Sequence, residues 1–168
     1  MILESTGPNG GPPGSFASRR HGAPGAKLAG VLTDAEGLEV LVAEQCLKLL
    51  ASSRLGRIAV TIGAVPAIFP VHYQLIEGQI VFRSGEGTNL HSAAANTVVA
   101  FEVDDVDPTW TTGWSVLVVG VARELHDDVA IALALDQAPN LWDPGAGAHV
   151  ISILPAFLSG RRFRRAAA

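Results

Sequence analysis

The segment from Val65 to Ile76 constrains the fold most strongly, because its apolar residues alternate with more polar ones. The odd-numbered positions hold Val65, Ala67, Phe69, Val71, Tyr73 and Leu75. A period of two is typical of a β-strand that packs one face on a core. Glu77-Gly78 then supplies turn residues, and Gln79 to Ser84 is a second strand-like run. The sequence therefore predicts a β-hairpin over Val65 to Ser84.

Further strands and two helices are predicted around this hairpin. Strands are expected over Thr97 to Asp104, Trp114 to Leu125 and Ala148 to Leu154, where β-branched residues are dense. A helix is expected to start at the capping-box sequence Thr33-Asp34-Ala35-Glu36 and to run to Ser52, and a shorter one to span Asp127 to Gln137. Antiparallel strands with short helices indicate a small α+β barrel.

The composition favours one globular, cytoplasmic domain. Of 168 residues, 48% are apolar and 17% are charged, which argues against a fully disordered chain. The single Cys46 provides neither an internal disulfide nor a two-cysteine metal site, and neither a signal peptide nor a membrane-spanning run is recognised. A disordered Gly- and Pro-rich head is predicted over 1–28, a folded domain over 29–160 and a basic tail over 161–168.

The charge distribution argues against nucleic acid as a partner, and the lack of a membrane-spanning apolar run argues against a membrane. Residues 29–160 contain five Lys or Arg against fifteen Asp or Glu, whereas four Arg occupy the last eight positions. An acidic surface repels phosphate groups. The terminal RRFRR could fold over a phosphate, bind an anionic partner or stay solvated, and a solvated tail is the first expectation.

The segment Phe82-Arg83-Ser84-Gly85-Glu86-Gly87-Thr88-Asn89-Leu90 is the most suggestive of ligand binding. A strand that ends in a glycine loop and enters a helix, expected over Leu90 to Ala95, can turn backbone amides toward one anion. The hydroxyls of Ser84 and Thr88 would add donors. The segment is neither a P-loop nor a complete dinucleotide fingerprint. A tight strand-to-helix connection without a ligand is therefore the alternative.

His72 is the candidate for proton transfer. It lies on the more polar face of its strand, and imidazole titrates near neutral pH, although a hydrogen-bonded structural histidine is the alternative. The other histidines show no metal-ligand spacing, so no metal site is predicted. No serine lies in a nucleophile elbow, and Cys46 falls on an apolar helix stripe, so covalent catalysis is not expected. Trp110 and Trp114 could wall a pocket for a flat ligand or pack as core residues.

Taken in order, these pieces resemble the pyridoxamine 5'-phosphate oxidase-like family of flavin-binding split β-barrels, specifically short bacterial members related to nitroimidazole-resistance proteins. The similarity covers about Cys46 to Arg162 and runs through LASSRLGRIAV, VPAIFPVHY, EGQIVFRSGEGTNL, VVAFEVDD, TGWSVLVVGVARE, LWDPG and SGRRF. It implies a mainly β, antiparallel split β-barrel with short flanking helices. It also implies a homodimer with two flavins, taken as FMN, at the subunit interface.

The resemblance further implies which residues hold the FMN. The phosphate and ribityl chain would be served by Arg83, Ser84, Gly87, Thr88 and Asn89. The isoalloxazine edge would be lined, mainly by backbone groups, by Pro70, Val71, His72 and Tyr73. Trp114 and Ser115 would approach from the central strand, and Arg161 or Arg162 would reach a phosphate. Relatives often have a lysine at Asn89 and an arginine near Thr111, so phosphate binding would be weaker here unless Arg83 compensates.

The function implied by the resemblance is that of an FMN-dependent oxidoreductase acting on a small organic acceptor, with His72 as its catalytic, substrate-facing residue. A deazaflavin coenzyme is the alternative ring ligand within related families. The alternative class of function is a non-catalytic flavin or deazaflavin carrier or sensor.

Overall fold

The computed structural model describes residues 27–28, 31–85, 88–126, 131–132 and 149–164, most of which belong to antiparallel β-strands. The strands are β1 (Lys27–Leu28), β2 (Val31–Leu32), β3 (Glu39–Leu41), β4 (Leu55–Ile62), β5 (Val65–Ile76), β6 (Gln79–Ser84), β7 (Val98–Val106), β8 (Thr112–Glu124) and β9 (His149–Arg164). The helices are α1 (Ala43–Ser52) and α2 (Asn89–Ala94). Neither helix is long and apolar enough to cross a membrane.

The main sheet closes on itself. Its seven strands follow the order β3-β9-β6-β5-β4-β7-β8, every pair is antiparallel, and β8 also pairs with β9. β3 is attached to the end of β9, where Glu39 lies opposite Arg162. β1 and β2 form a separate two-stranded sheet. The predicted fold class, an antiparallel split β-barrel with short helices, is confirmed.

The core lies inside the ring, because alternate residues of each strand point inward. Val116 and Val118 of β8 are fully buried, whereas Leu117 between them is 38% exposed. α1 packs on this core through Leu50, whose carbonyl accepts a 2.7 Å hydrogen bond from the Tyr73 hydroxyl. Each fully buried side chain of this size contributes about 1.5–3 kcal/mol to stability.

The predicted hairpin is confirmed as β5 and β6. Glu77 and Gly78 join the strands and have φ angles of 50° and 78°, values that a two-residue hairpin turn requires. Within β5, the described pairing with β6 is limited to the last residues, from Tyr73 to Ile76. Pro66 and Pro70 lie in the earlier part of β5, which in the described residues pairs with β4 alone. The prolines therefore occupy an edge, where a missing amide donor breaks no ladder.

The first helix begins later than the capping box predicts. α1 starts at Ala43, and the preceding residues form a turn and then β3. The Asp34 carboxylate accepts hydrogen bonds from the amides of Glu36 and Leu38, both at 3.0 Å, so it stabilises a turn instead of a helix. Gly37 in this turn has a φ of +80°. Pairing of β3 with the distant end of β9 outweighs the local helix signal.

The last strand is longer than predicted, and the expectation of a solvated tail is wrong for residues 161–164. β9 runs from His149 to Arg164 and pairs with β8 almost throughout. The predicted helix over 127–137 and the LWDPG segment lie outside the described residues, apart from 131–132. The predicted head also lies outside them, except for the two residues of β1.

Candidate functional site

The strand-loop-helix segment brings two predicted hydroxyl groups together. Ser84 ends β6, and its Oγ lies 3.0 Å from Oγ1 of Thr88. Thr88 is the N-cap of α2: its hydroxyl accepts a hydrogen bond from the His91 amide at 3.2 Å and donates to the Gly85 carbonyl at 2.9 Å. Such a cap satisfies one of the open amides at a helix start. The predicted helix is thus confirmed, and Thr88 has a structural role beside any binding role.

Two residues predicted for this segment are described less completely. Gly87 lies outside the described residues, and Asn89 is placed only as the first residue of α2. The structure therefore places Ser84 and Thr88 side by side and leaves the roles of the other two as predictions.

His72, Gln74 and Arg83 share one face of the β5–β6 hairpin, the face that points away from the main core. Gln74 lies opposite Val81, and residues two apart on a strand point to the same side. His72 and Arg83 therefore lie on that side, opposite to the core side that receives Tyr73. Both His72 and Arg83 were predicted to contact the same ligand. The strand register places them on one side of the sheet.

Within the part of the chain that the structure describes, His72 and Gln74 have buried polar atoms without hydrogen-bond partners. These atoms are Nδ1 of His72 and both amide atoms of Gln74, a residue that is only 6% exposed. An unsatisfied polar group in the interior costs about 1–3 kcal/mol, so native proteins rarely keep one without a reason. Sequence reasoning missed Gln74, because the alternating pattern marks it as a polar neighbour of His72 and does not show its burial.

The other residues predicted to line the isoalloxazine ring lie on the two faces of β5. Pro70 is exposed on the same face as His72, whereas Val71 and Tyr73 are buried in the core. The Tyr73 ring packs edge-on against Phe101 at a centroid distance of 4.9 Å, and burial raises the pKa of its phenol to about 12. Val71 and Tyr73 can therefore offer a ligand only their backbone, as the sequence prediction supposed.

A second group of predicted residues lies around an open cavity near the C-terminal end of β9. The cavity has a volume of about 240 Å³ and is lined by Thr112, Gly113, Trp114, Arg162 and Arg164. Ser115 follows Trp114 on β8 and lies opposite Arg161.

The arginines of this second group are held by carboxylates of the same chain. Nε of Arg161 lies 2.7 Å from an Asp34 oxygen, and Nη1 of Arg162 lies 3.2 Å from a Glu39 oxygen. Trp110, in contrast, is 74% exposed and does not line the cavity, so the two tryptophans do not form one wall.

A cluster that the sequence did not predict joins His91, Glu124 and His149. Nε2 of His91 lies 3.1 Å from one Glu124 oxygen, and Nδ1 of His149 lies 2.5 Å from the other. The two imidazole rings stack, with centroids 3.8 Å apart. Hydrogen bonds from His149 and His91 lower the pKa of Glu124 below its ordinary value. The residues are 25 and 33 positions from Glu124, so no short spacing could reveal the cluster.

Comparison with known proteins identifies one matching family model and several similar proteins. Residues 42–162 match the family model described as pyridoxamine 5'-phosphate oxidase. An uncharacterized protein of Mycobacterium tuberculosis is 35% identical over 83% of this chain and 93% of its own length. The structure of the FAD binding protein from Mycobacterium smegmatis is 41% identical and covers 74% of this chain and 99% of that one, with a TM-score of 0.66.

A second solved structure is similar over nearly its whole length. The FAD-binding protein from Mesorhizobium loti is 28% identical, covers 74% of this chain and 97% of that one, and has a TM-score of 0.64. The family match spans the ring from the start of α1 to the last residues of β9. The chain therefore belongs to the pyridoxamine 5'-phosphate oxidase-like family.

Proposed function

We propose that this chain binds a flavin, FAD, and passes electrons or hydride to a small organic acceptor. The proposal rests mainly on the unpaired buried atoms of His72 and Gln74 beside Arg83. The pyrimidine edge of a flavin ring presents an N–H flanked by two carbonyl oxygens. A glutamine amide offers both a donor and an acceptor to such an edge. The polar atoms that the apoprotein leaves without partners thus fit this group.

The relatives favour FAD over the FMN predicted from the sequence. The Mycobacterium smegmatis and Mesorhizobium loti proteins are both described as FAD-binding. FMN and FAD share the ring, the ribityl chain and the first phosphate, so the same residues can serve either. The adjacent hydroxyls of Ser84 and Thr88 are the groups we assign to that phosphate, whereas Arg83 points to the opposite side of β6, the side of His72.

The site we propose needs two copies of the chain. Ser84 lies opposite His149 at the start of β9, while Ser115 lies opposite Arg161 near its end. These positions are about a dozen residues apart, or roughly 40 Å of strand at ~3.3 Å per residue. One chain therefore does not offer both groups to the same phosphate. In a homodimer the second group would come from the partner subunit.

An exposed apolar row on the ring supports the homodimer. Five strands contribute outward side chains in register: Ile68, Ala59, Ala100, Val119 and Phe157. Ile68 is 67% exposed and Phe157 is 54% exposed. Leu117, on the same face, is also exposed. A contiguous apolar surface of this kind marks an interaction site, because it gains stability when water is removed.

The chain's own residues would position the flavin and take part in proton transfer. A bound flavin supplies the redox chemistry, as cofactors generally do. His72 would face the substrate as the proton-transfer group, and Gln74 would fix the orientation of the ring. Burial of Gln74 also keeps water from competing for its hydrogen bonds.

The first experiment is a flavin titration of the full-length protein followed by anaerobic reduction. We expect FAD to bind one per chain and more tightly than FMN. Addition of NADPH or NADH without oxygen should bleach the flavin absorbance, and an acceptor should restore it over repeated turnovers. A protein that binds neither FAD, FMN nor a deazaflavin contradicts the proposal. A protein that keeps its flavin oxidised with both donors supports the carrier or sensor function instead.

Variants separate the role of His72 from that of the interface. His72→Ala should reduce turnover more than flavin retention, and His126→Ala, at an exposed position, is the matched control.

Ile68→Asp should shift the protein from dimer to monomer in a light-scattering measurement and weaken flavin binding. Leu32→Asp, at an exposed apolar residue of β2, should change neither quantity. A monomeric Ile68→Asp protein with full flavin affinity would show that one chain holds the site alone.

A further inference from the structure

We infer that the His91–Glu124–His149 cluster binds a divalent first-row transition-metal ion such as Zn²⁺. The inference does not depend on flavin binding. The three ligand-bearing side chains present one candidate donor atom each, and these atoms lie within 4.8 Å of one another. Bond lengths of about 2.0–2.2 Å around such an ion place neighbouring ligand atoms about 3–3.5 Å apart. Small side-chain rotations would bring the three atoms into that range.

The fold fixes the backbone of all three residues. Glu124 is the last residue of β8 and lies opposite Ile151 of β9. His149 is the first residue of β9 and lies opposite Ser84. His91 stands in the first turn of α2, where its amide donates to the Thr88 cap. Three separate elements thus hold the donors at one end of the barrel, which is how metal sites gain preorganisation.

The donor set selects the class of ion. Two imidazole nitrogens and one carboxylate oxygen suit Zn²⁺, Fe²⁺ and their neighbours, whereas Mg²⁺ and Ca²⁺ prefer sites made of oxygen alone. Within the described residues, the ion pairs of Glu124 are with the two histidines, and no Lys or Arg neutralises it.

The surroundings leave room for a further ligand. The three side chains are between 20% and 27% exposed, so solvent reaches the cluster. A structural zinc site normally has four protein ligands, whereas three ligands with an open position are typical of an exchangeable or catalytic ion. The remaining coordination positions would be taken by water or by a small anion.

The test is a titration of the full-length protein with Zn²⁺ by calorimetry and with Co²⁺ by visible absorption. We expect one ion per chain, with a Co²⁺ spectrum that lacks thiolate charge-transfer bands because Cys46 is buried elsewhere. Glu124→Gln and His149→Ala should each weaken binding at least about tenfold. His126→Ala, two residues from Glu124 and exposed, should bind as the wild type does.

Thermal unfolding provides a second readout that does not depend on the absorbance. Zn²⁺ should raise the melting temperature of the wild type and of His126→Ala, but not that of Glu124→Gln, which keeps the shape of the side chain. If His149→Ala does not fold, the Glu124→Gln result decides. The inference is overturned if the wild type binds no saturable ion, or if Glu124→Gln binds Zn²⁺ as tightly as the wild type.

Discussion

The substitution Gln74→Met should stabilise the apoprotein and weaken flavin binding at the same time. Gln74 is 6% exposed, and both atoms of its amide lack hydrogen-bond partners among the described residues. Methionine has nearly the same length and shape and no unsatisfied polar group. Removal of the unpaired amide should therefore raise the free energy of unfolding of the apoprotein by about 1–3 kcal/mol. For a domain of this size, each kcal/mol corresponds to about 2–4 °C in melting temperature.

The same change should have the opposite effect on the flavin complex. The amide is the group we assign to the ring edge, and a neutral hydrogen bond contributes about 0.5–1.5 kcal/mol net. Because stabilisation of the unbound protein also weakens binding, flavin affinity should fall by at least roughly 2- to 13-fold. Urea unfolding of the apoprotein measures the first effect, and quenching of flavin fluorescence on titration measures the second. Gln79→Met, at a half-buried position that starts β6, is the matched control and should change little.

The two measurements distinguish two ways in which the assignment of Gln74 can be wrong. Unchanged or lower stability of the Gln74→Met apoprotein would mean that the amide already has partners in solution. Higher stability with unchanged flavin affinity would mean that Gln74 is an unsatisfied group without contact to the ligand. Only the combination of a stability gain and an affinity loss supports our assignment of Gln74.

Three further substitutions test the packing, the helix cap and a buried phenol. Gly160→Ala should destabilise the protein by about 1–3 kcal/mol in urea unfolding, because the added Cβ would lie 2.6 Å from Sγ of Cys46; an unchanged midpoint would refute the tight contact. Thr88→Ala should cost about 1 kcal/mol by removing the cap to the His91 amide and should weaken flavin binding, whereas Thr88→Ser should keep both, as thermal unfolding and titration would show. Burial raises the pKa of Tyr73 to about 12 from an ordinary value of 10, so the folded state holds this proton more tightly. The free energy of unfolding should therefore fall as the pH rises from 10 through 12, and Tyr73→Phe should show a smaller fall over that window.

Local pattern was sufficient for the hairpin and for the strands around it. The alternation in β5 and the Glu77-Gly78 turn are properties of neighbouring residues, and both predictions are confirmed. The predicted start of the first helix is wrong for the opposite reason, because distant residues decide the structure there. Asp34 and its neighbours satisfy the local rule for a capping box, but Glu39 and its neighbours gain a ladder with β9, which lies more than a hundred residues away. Long-range pairing of this kind leaves no mark on a short window of sequence.

The candidate site shows the same division between local and distant causes. Ser84 and Thr88 were predicted together because they are four residues apart, and their hydroxyls lie 3.0 Å apart in the structure. Gln74 was missed because burial depends on what covers a strand and not on the strand's own pattern. Arg161 was expected in a tail and instead lies in β9, where it pairs with Asp34.

The amino-acid sequence by itself determined the strand periodicity, the turn, the strand-to-helix loop and the family, because these depend on residue types at short, fixed spacing. Only the tertiary structure decided that His91, Glu124 and His149 meet, that Gln74 is buried without a hydrogen-bond partner among the described residues and that Arg161 pairs with Asp34. The physical reason is that closing the sheet into a ring sets distances between residues remote along the chain. Those distances follow from the strand register, which many weak contacts fix jointly.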